Sequence, residues 1–203
     1  MKVNEQAGPK DLATAETNIS KQNLQPWPMV QLGDVCDIEM GQSPNSESYN
    51  ENHKGLPFYQ GNADFGYRWP TPRIWCNSPT KIANAGDILI SVRAPIGALN
   101  FTNEKCCIGR GVAALRPKKG NDPLFIYFAL KHKVADLNAR GTGSTFKAIN
   151  KRSLTETTLP QPPFHIQQRI ATTLDNICSI VEKRKYQLTH LQQLVKSQFV
   201  EAA

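Results

Sequence analysis

A chain of 203 residues with 39% apolar side chains and a formal net charge of +7 suits one ordinary domain plus appendages. It has no run approaching the ~20 consecutive apolar residues of a membrane span, and its N-terminal stretch lacks an apolar core and carries Glu5, Asp11 and Glu16, which argues against a targeting peptide. The five cysteines, Cys36, Cys76, Cys106, Cys107 and Cys178, are odd in number and form no C-x-x-C pair. Buried free thiols in a reducing, cytoplasmic setting are therefore expected, rather than zinc or disulfides.

Residues 1–26 are polar and mixed in charge, and read as a solvated tail. Order begins near Trp27. Residues 29–40 alternate loosely as a turn and strand, and residues 42–55, rich in Ser, Asn and Glu, read as an exposed loop. Short β-branched and aromatic runs then follow at 56–59, 73–76, 87–92, 96–101, 106–108 and 112–116, separated by Gly, Asn and Pro. These are predicted strands. Residues 122–137 have helical spacing, with Asp122 as N-cap and Pro123 in the first turn. A Gly-rich loop, Gly141-Thr142-Gly143-Ser144, and short irregular elements over 148–158 complete an α+β domain spanning 27–159.

Residues 160–203 differ in kind. A Pro-rich hinge, Leu159-Pro160-Gln161-Pro162-Pro163-Phe164, leads into a stretch from Ile166 to Phe199 without Gly or Pro. Apolar residues recur there at Ile170, Leu174, Ile177, Val181, Leu188, Leu191 and Val195, with Arg184 the one polar intruder. Steps of four and three make the seam of a coiled coil. A helix of about 36 residues is a rod on the order of 50 Å long, too long to bury its stripe on its own domain, so a partner helix is expected. A terminal helix folded back on its domain is the alternative.

Charge separates the halves of the domain. Residues 27–92 hold four basic and seven acidic side chains, whereas residues 93–152 hold twelve basic against Glu104, Asp122 and Asp136. A cationic half-domain points to a polyanion, most commonly nucleic acid. Lysines scattered on a solvated surface would look similar, but Arg93, Arg110, Arg140 and Arg152 favour the first reading. The planar guanidinium fork suits phosphates and guanine edges.

Two motifs suggest chemistry and fall short. Gln161-Pro162-Pro163-Phe164 is like the Asp/Asn-Pro-Pro-Tyr/Phe signature of amino-methylating DNA methyltransferases, but Gln161 is a methylene too long. No Gly-rich βαβ unit is present to hold a methyl donor. The segment from Gly141 to Lys147 lacks the Gly-Lys-Ser/Thr ending of a P-loop. His53, His132, His165 and His190 are dispersed, and no nucleophile and base pair up. The chain is expected to be non-catalytic.

The elements in sequence resemble the specificity subunit of type I restriction–modification systems. Trp27-Pro28-Met29-Val30-Gln31-Leu32-Gly33-Asp34-Val35 is similar to the opening of that family's target-recognition domain, and Gly41-Gln42-Ser43-Pro44 with Gly55-Leu56-Pro57-Phe58 to its Gly/Pro landmarks. Gly86 to Gly97 and Ile108 to Leu115 resemble its central strands. Leu159 to Phe164, then Gln167-Gln168-Arg169-Ile170-Ala171, is like the entry into its spacer helix. Members commonly carry two recognition domains and two spacers. This chain resembles a half-length form with one of each.

The resemblance implies a DNA-recognition subunit that binds one half of a bipartite double-stranded site. A second specificity chain would pair along the helix, and methyltransferase subunits that bind S-adenosylmethionine would dock there. Restriction subunits would join for cleavage. A stand-alone dimeric DNA-binding protein or adaptor is the rival reading. Candidate base contacts are Gln60 and Asn62, suited to adenine, with Arg93 and Arg110 beside strands; a structural ion pair is the equal alternative for either arginine. Ser144, Lys147, Asn150 and Lys151 are the phosphate candidates.

Overall fold

The computed structural model describes residues 26–143 and 147–201. The tail expected over residues 1–26, apart from Pro26, and the candidate Ser144 lie outside the described residues.

The architecture is α+β with a long C-terminal helix, as expected. A four-stranded antiparallel sheet runs in the order β2 (Cys36–Met40), β10 (Val112–Pro117), β7 (Ile88–Ser91), β8 (Leu99–Phe101). Its central strands are apolar at successive positions because both faces are covered. With side chains alternating along a strand, Ile88, Ile90, Ala113 and Leu115 enter the main core, against Phe125, Ile126 and Leu130. Leu89, Val112 and Ala114 face a second core holding Tyr59 and Ile108.

The second core belongs to a five-stranded sheet ordered β3 (Tyr49–Asn50), β5 (Trp75–Cys76), β4 (Leu56–Tyr59), β9 (Cys106–Ile108), β6 (Ile82–Ala83). Its β4–β9 pair is parallel, matching Phe58 with Cys107 and Tyr59 with Ile108. Four of the cysteines are buried here or in the main core, and the fifth, Cys178, is half-buried on the rod. Burial pushes the thiols of Cys36 and Cys107 up to about 12 and that of Cys106 to about 11.

Several expectations need correction. The loop expected over 42–55 contains a 3₁₀ turn (Ser46–Ser48) and β3, because Tyr49 packs at a tilt on Phe58, with ring centroids 4.8 Å apart. The helix expected over 122–137 breaks at Lys133 into α2 (Pro123–His132) and α3 (Val134–Ala139), after the short α1 (Leu32–Val35). The break lets Asn138 donate to the Ile96 carbonyl at 2.9 Å. Asp122 does cap α2, accepting from the Phe125 amide at 2.8 Å. The irregular stretch 148–158 holds α4 (Lys151–Thr155) and the start of β11 (Thr158–Pro160), which pairs with β1 (Met29–Gln31). Leu159 and Pro160 are thus strand rather than free hinge.

The rod, α5 (Phe164–Glu201), has 38 residues, about 57 Å at 1.5 Å each. Its entry is fixed. Gln167, 2% exposed, accepts from the Asp122 amide at 2.9 Å and donates to the Pro162 carbonyl at 2.9 Å, while Ala171 is buried in the main core. No helix among the described residues is long and apolar enough to cross a membrane.

Candidate nucleic-acid interface

Three strand ends meet at one edge of the molecule. Because β4 and β9 are parallel, Gln60 and Arg110 leave their strands on the same side, and the Gly109 amide donates to the Tyr59 carbonyl at 2.8 Å. Gly111 packs against the Gln60 carbonyl so closely that a Cβ there would overlap it. The Gly111 carbonyl in turn accepts from the Val92 amide at 2.9 Å, drawing in the end of β7. The turn Gly109-Arg110-Gly111 therefore joins the two sheets at the place where Gln60 and Arg93 emerge.

Between them lies a cleft of roughly 480 Å3, lined by Gln60, Asn62, Asp64, Arg73, Arg93 and Pro95 among others. Three of the expected base-contact residues, Gln60, Asn62 and Arg93, are exposed and share this cleft. Arg110 does not line it. Its amide donates to Ser43 Oγ at 3.3 Å, and its charge opposes the burial that raises the Tyr49 phenol, placing it on the neighbouring flank.

The chain on either side of residues 144–146 pairs with itself. Thr142 and Ala148 exchange backbone hydrogen bonds at 3.0 Å each, and the Lys147 carbonyl accepts from the Ala94 amide at 3.1 Å. Lys147 is thereby carried beside Arg93 and the cleft. Asn150 has a structural duty: its Oδ1 caps α4, accepting from the Ser153 amide at 2.9 Å, so only its amide nitrogen remains to donate outward. Lys151 is exposed at the first position of α4.

The ion pairs sort the cations. Arg116 is held by buried Asp87 at 2.9 Å, and Arg152 by Glu156 at 2.7 Å. Among the described residues Arg93, Arg110, Arg140, Lys147 and Lys151 have no carboxylate partner. Sequence reasoning missed Asp64 and Arg73, which both line the cleft and form an ion pair there. In the sequence Arg73 is only the first residue of the run 73–76. The loop bearing Tyr67 and Trp69, both exposed, was also missed. It lies against the rod through Arg68, which pairs with Asp175.

On the rod, the seam residues Leu174, Ile177, Val181, Leu188, Leu191 and Val195 are exposed, from 37% at Leu174 to 59% at Leu188. Ile170 alone is partly buried, against the main core. The helix leans on the globule through a different stripe, that of Gln167, Ala171, Asp175 and Cys178.

Comparison with known proteins bears on this arrangement. Residues 25–190 match the family described as type I restriction modification DNA specificity domain. Over 173 residues the chain is 39% identical to a chain of Methanocaldococcus jannaschii named as the MjaX type I restriction enzyme specificity subunit, covering 84% of this chain and 41% of that one. The EcoBI specificity subunit of Escherichia coli is 24% identical over 177 residues, covering 84% and 36%. The crystal structure of the HsdS subunit from Thermoanaerobacter tengcongensis superposes with a TM-score of 0.71 at 41% identity, over 85% of this chain and 46% of that one. A chain from a study of complex assembly in a type I R-M system gives 0.72 at 46% identity, over 84% and 43%. The chain thus spans less than half the length of these relatives.

Proposed function

The chain belongs to the family of type I restriction–modification DNA specificity domains, and from that premise we propose that it supplies the DNA address of a multi-subunit methylating and restricting enzyme. Residues 27–159 act as the recognition domain for one half of a bipartite duplex site. Residues 160–203 act as spacer, pairing with a second specificity chain and carrying the methyltransferase subunits. Those subunits bind S-adenosylmethionine and perform the methyl transfer, and restriction subunits join them for cleavage. This chain recognises and positions.

The observation that carries the reading is the meeting of Gln60, Asn62 and Arg93 on one cleft, with Lys147 at its margin. Amide side chains match the paired donor and acceptor of adenine, and an unpaired arginine matches guanine or phosphate. Lys147 and Lys151 supply sequence-independent attraction to the backbone. The exposed seam supplies the second element. A rod of about 57 Å exceeds the ~34 Å of one DNA turn, so two antiparallel rods would hold two recognition domains over half-sites a fixed distance apart.

The test is co-expression with the partner methyltransferase, followed by mapping of methylated adenines. A single bipartite motif that disappears when this chain is deleted is expected; methylation independent of the chain overturns the proposal. Substituting Lys147 and Lys151 together by Ala should weaken binding to every sequence and flatten the log–log salt slope by about 2. An unchanged slope removes those lysines from the interface.

A further inference from the structure

The lining of the cleft includes a buttressed arginine. Asp64 is 6% exposed, and its carboxylate organises two things at once. Oδ2 accepts from the backbone amides of Gln60 at 2.7 Å and Gly61 at 3.3 Å, folding the loop that presents Gln60 and Asn62. Oδ1 accepts from Arg73 Nε at 3.0 Å and from Nη2. Arg73 itself is 63% exposed at the side chain.

A guanidinium has five N–H donors in a rigid plane. Asp64 takes the side edge, formed by Nε and one hydrogen of Nη2. The end edge, an Nη1 hydrogen beside the second Nη2 hydrogen, is left as a parallel pair of donors aimed away from Asp64. Such a pair matches guanine O6 and N7. Held in advance by Asp64, it loses little freedom on binding.

Resting on the DNA-recognition reading above, we infer that Arg73, positioned by Asp64, reads a guanine in the half-site through the major groove. A phosphate is the poorer match. The buried carboxylate neutralises Arg73 and repels an anion, whereas the O6 and N7 acceptors of a base carry no net charge. Arg93, without a carboxylate partner among the described residues, is the cation of this cleft suited to phosphate.

The test uses the full chain assembled with its methyltransferase, selecting from a library of randomised duplexes. Wild type is expected to return a motif with guanine required at one position, and R73A to accept all four bases there while keeping the rest. Affinity for the guanine site should fall about 5- to 100-fold in R73A, with little change on sites lacking that guanine. R73K keeps the charge and the pairing with Asp64 but not the fork, and should fail to restore the preference. Replacing the selected guanine by 7-deazaguanine should weaken wild type about 10-fold and leave R73A unaffected. An identical motif from R73A, or full rescue by R73K, overturns the inference and makes Arg73 a backbone contact. A wild-type chain that selects no motif overturns the recognition reading as well.

Discussion

The near and far halves of the rod obey different rules. Up to Glu182 the helix has two occupied or occupiable faces: one stripe, with Gln167, Ala171 and Asp175, is bonded to the globule, and the other, with Leu174, Ile177 and Val181, is open. From Lys183 to Ser197 every side chain is exposed, Leu188, Leu191, Leu194 and Val195 included. About 15 residues of helix without tertiary contact are marginal in water. The near half is therefore structure in its own right, whereas the far half, over residues 183–197, leaves its apolar stripe in water.

Substitution separates the two most sharply. Ala171→Glu puts a charge into the main core and should cost more than about 3 kcal/mol, seen as a large fall in Tm by calorimetry. Leu188→Glu with Leu191→Glu should leave that Tm nearly unchanged yet weaken self-association at least about 100-fold, read by sedimentation. A far-half variant that stays associated removes the seam from the interface. On a smaller scale, Gln167→Ala leaves the half-buried Asp122 amide and the buried Pro162 carbonyl without that partner, a loss of about 2 kcal/mol. If its unfolding midpoint matches wild type, the junction is not fixed by that side chain.

Alkaline titration sharpens the contrast from the globule's side. The thiols of Cys36, Cys106 and Cys107 ionise ordinarily at 9.0, and burial raises them to between about 11 and about 12. Below pH 9 they are neutral in both states and the full stability is present. Above it the unfolded chain ionises first, so stability falls by about 1.4 kcal/mol per pH unit for each thiol until the folded values are reached. Cys106→Ala and Cys107→Ala should flatten that slope in denaturant melts; a slope unchanged in both assigns it to other groups.

Local signals made much of this legible. The runs 56–59 and 106–108 have the bounds of β4 and β9, and Asp122 caps its helix, because turn residues and capping chemistry act over a few positions. The long helix and its apolar stripe were readable because their period is local to one helix. What escaped was long-range pairing. Nothing in the sequence says that β4 and β9 run parallel, yet that brings Gln60 beside Gly111. Asp64 and Arg73 are nine residues apart, and their bond depends on a 3₁₀ turn (Asn62–Asp64) that no periodicity announces. The stripe by which the rod meets the globule is partly polar, so the apolar pattern identified only its open face.

The smallest effect expected concerns the angle between globule and rod. Arg68 donates to Asp175 through both terminal nitrogens, Nη1 at 3.3 Å, and each side chain is 26% exposed. A pair in that intermediate setting lies between exposed bridges and fully buried ones, so Asp175→Asn should cost about 1 kcal/mol, or about 2–4 °C in Tm. The loop bearing Arg68 would stay in place, because Asn100 accepts from the Gly66 amide at 3.0 Å and donates to its carbonyl at 2.9 Å. What slackens is the rod's tilt. If two rods set the distance between half-sites, a looser tilt should let the variant accept spacings one base pair shorter or longer, while the bases read within each half-site stay the same. Raising the salt should blunt the wild-type preference towards that of the variant, since a partly exposed pair is screened. A spacing preference identical in both proteins would assign the ruler to the helix junction at Gln167 and leave the Arg68 contact only its small share of stability.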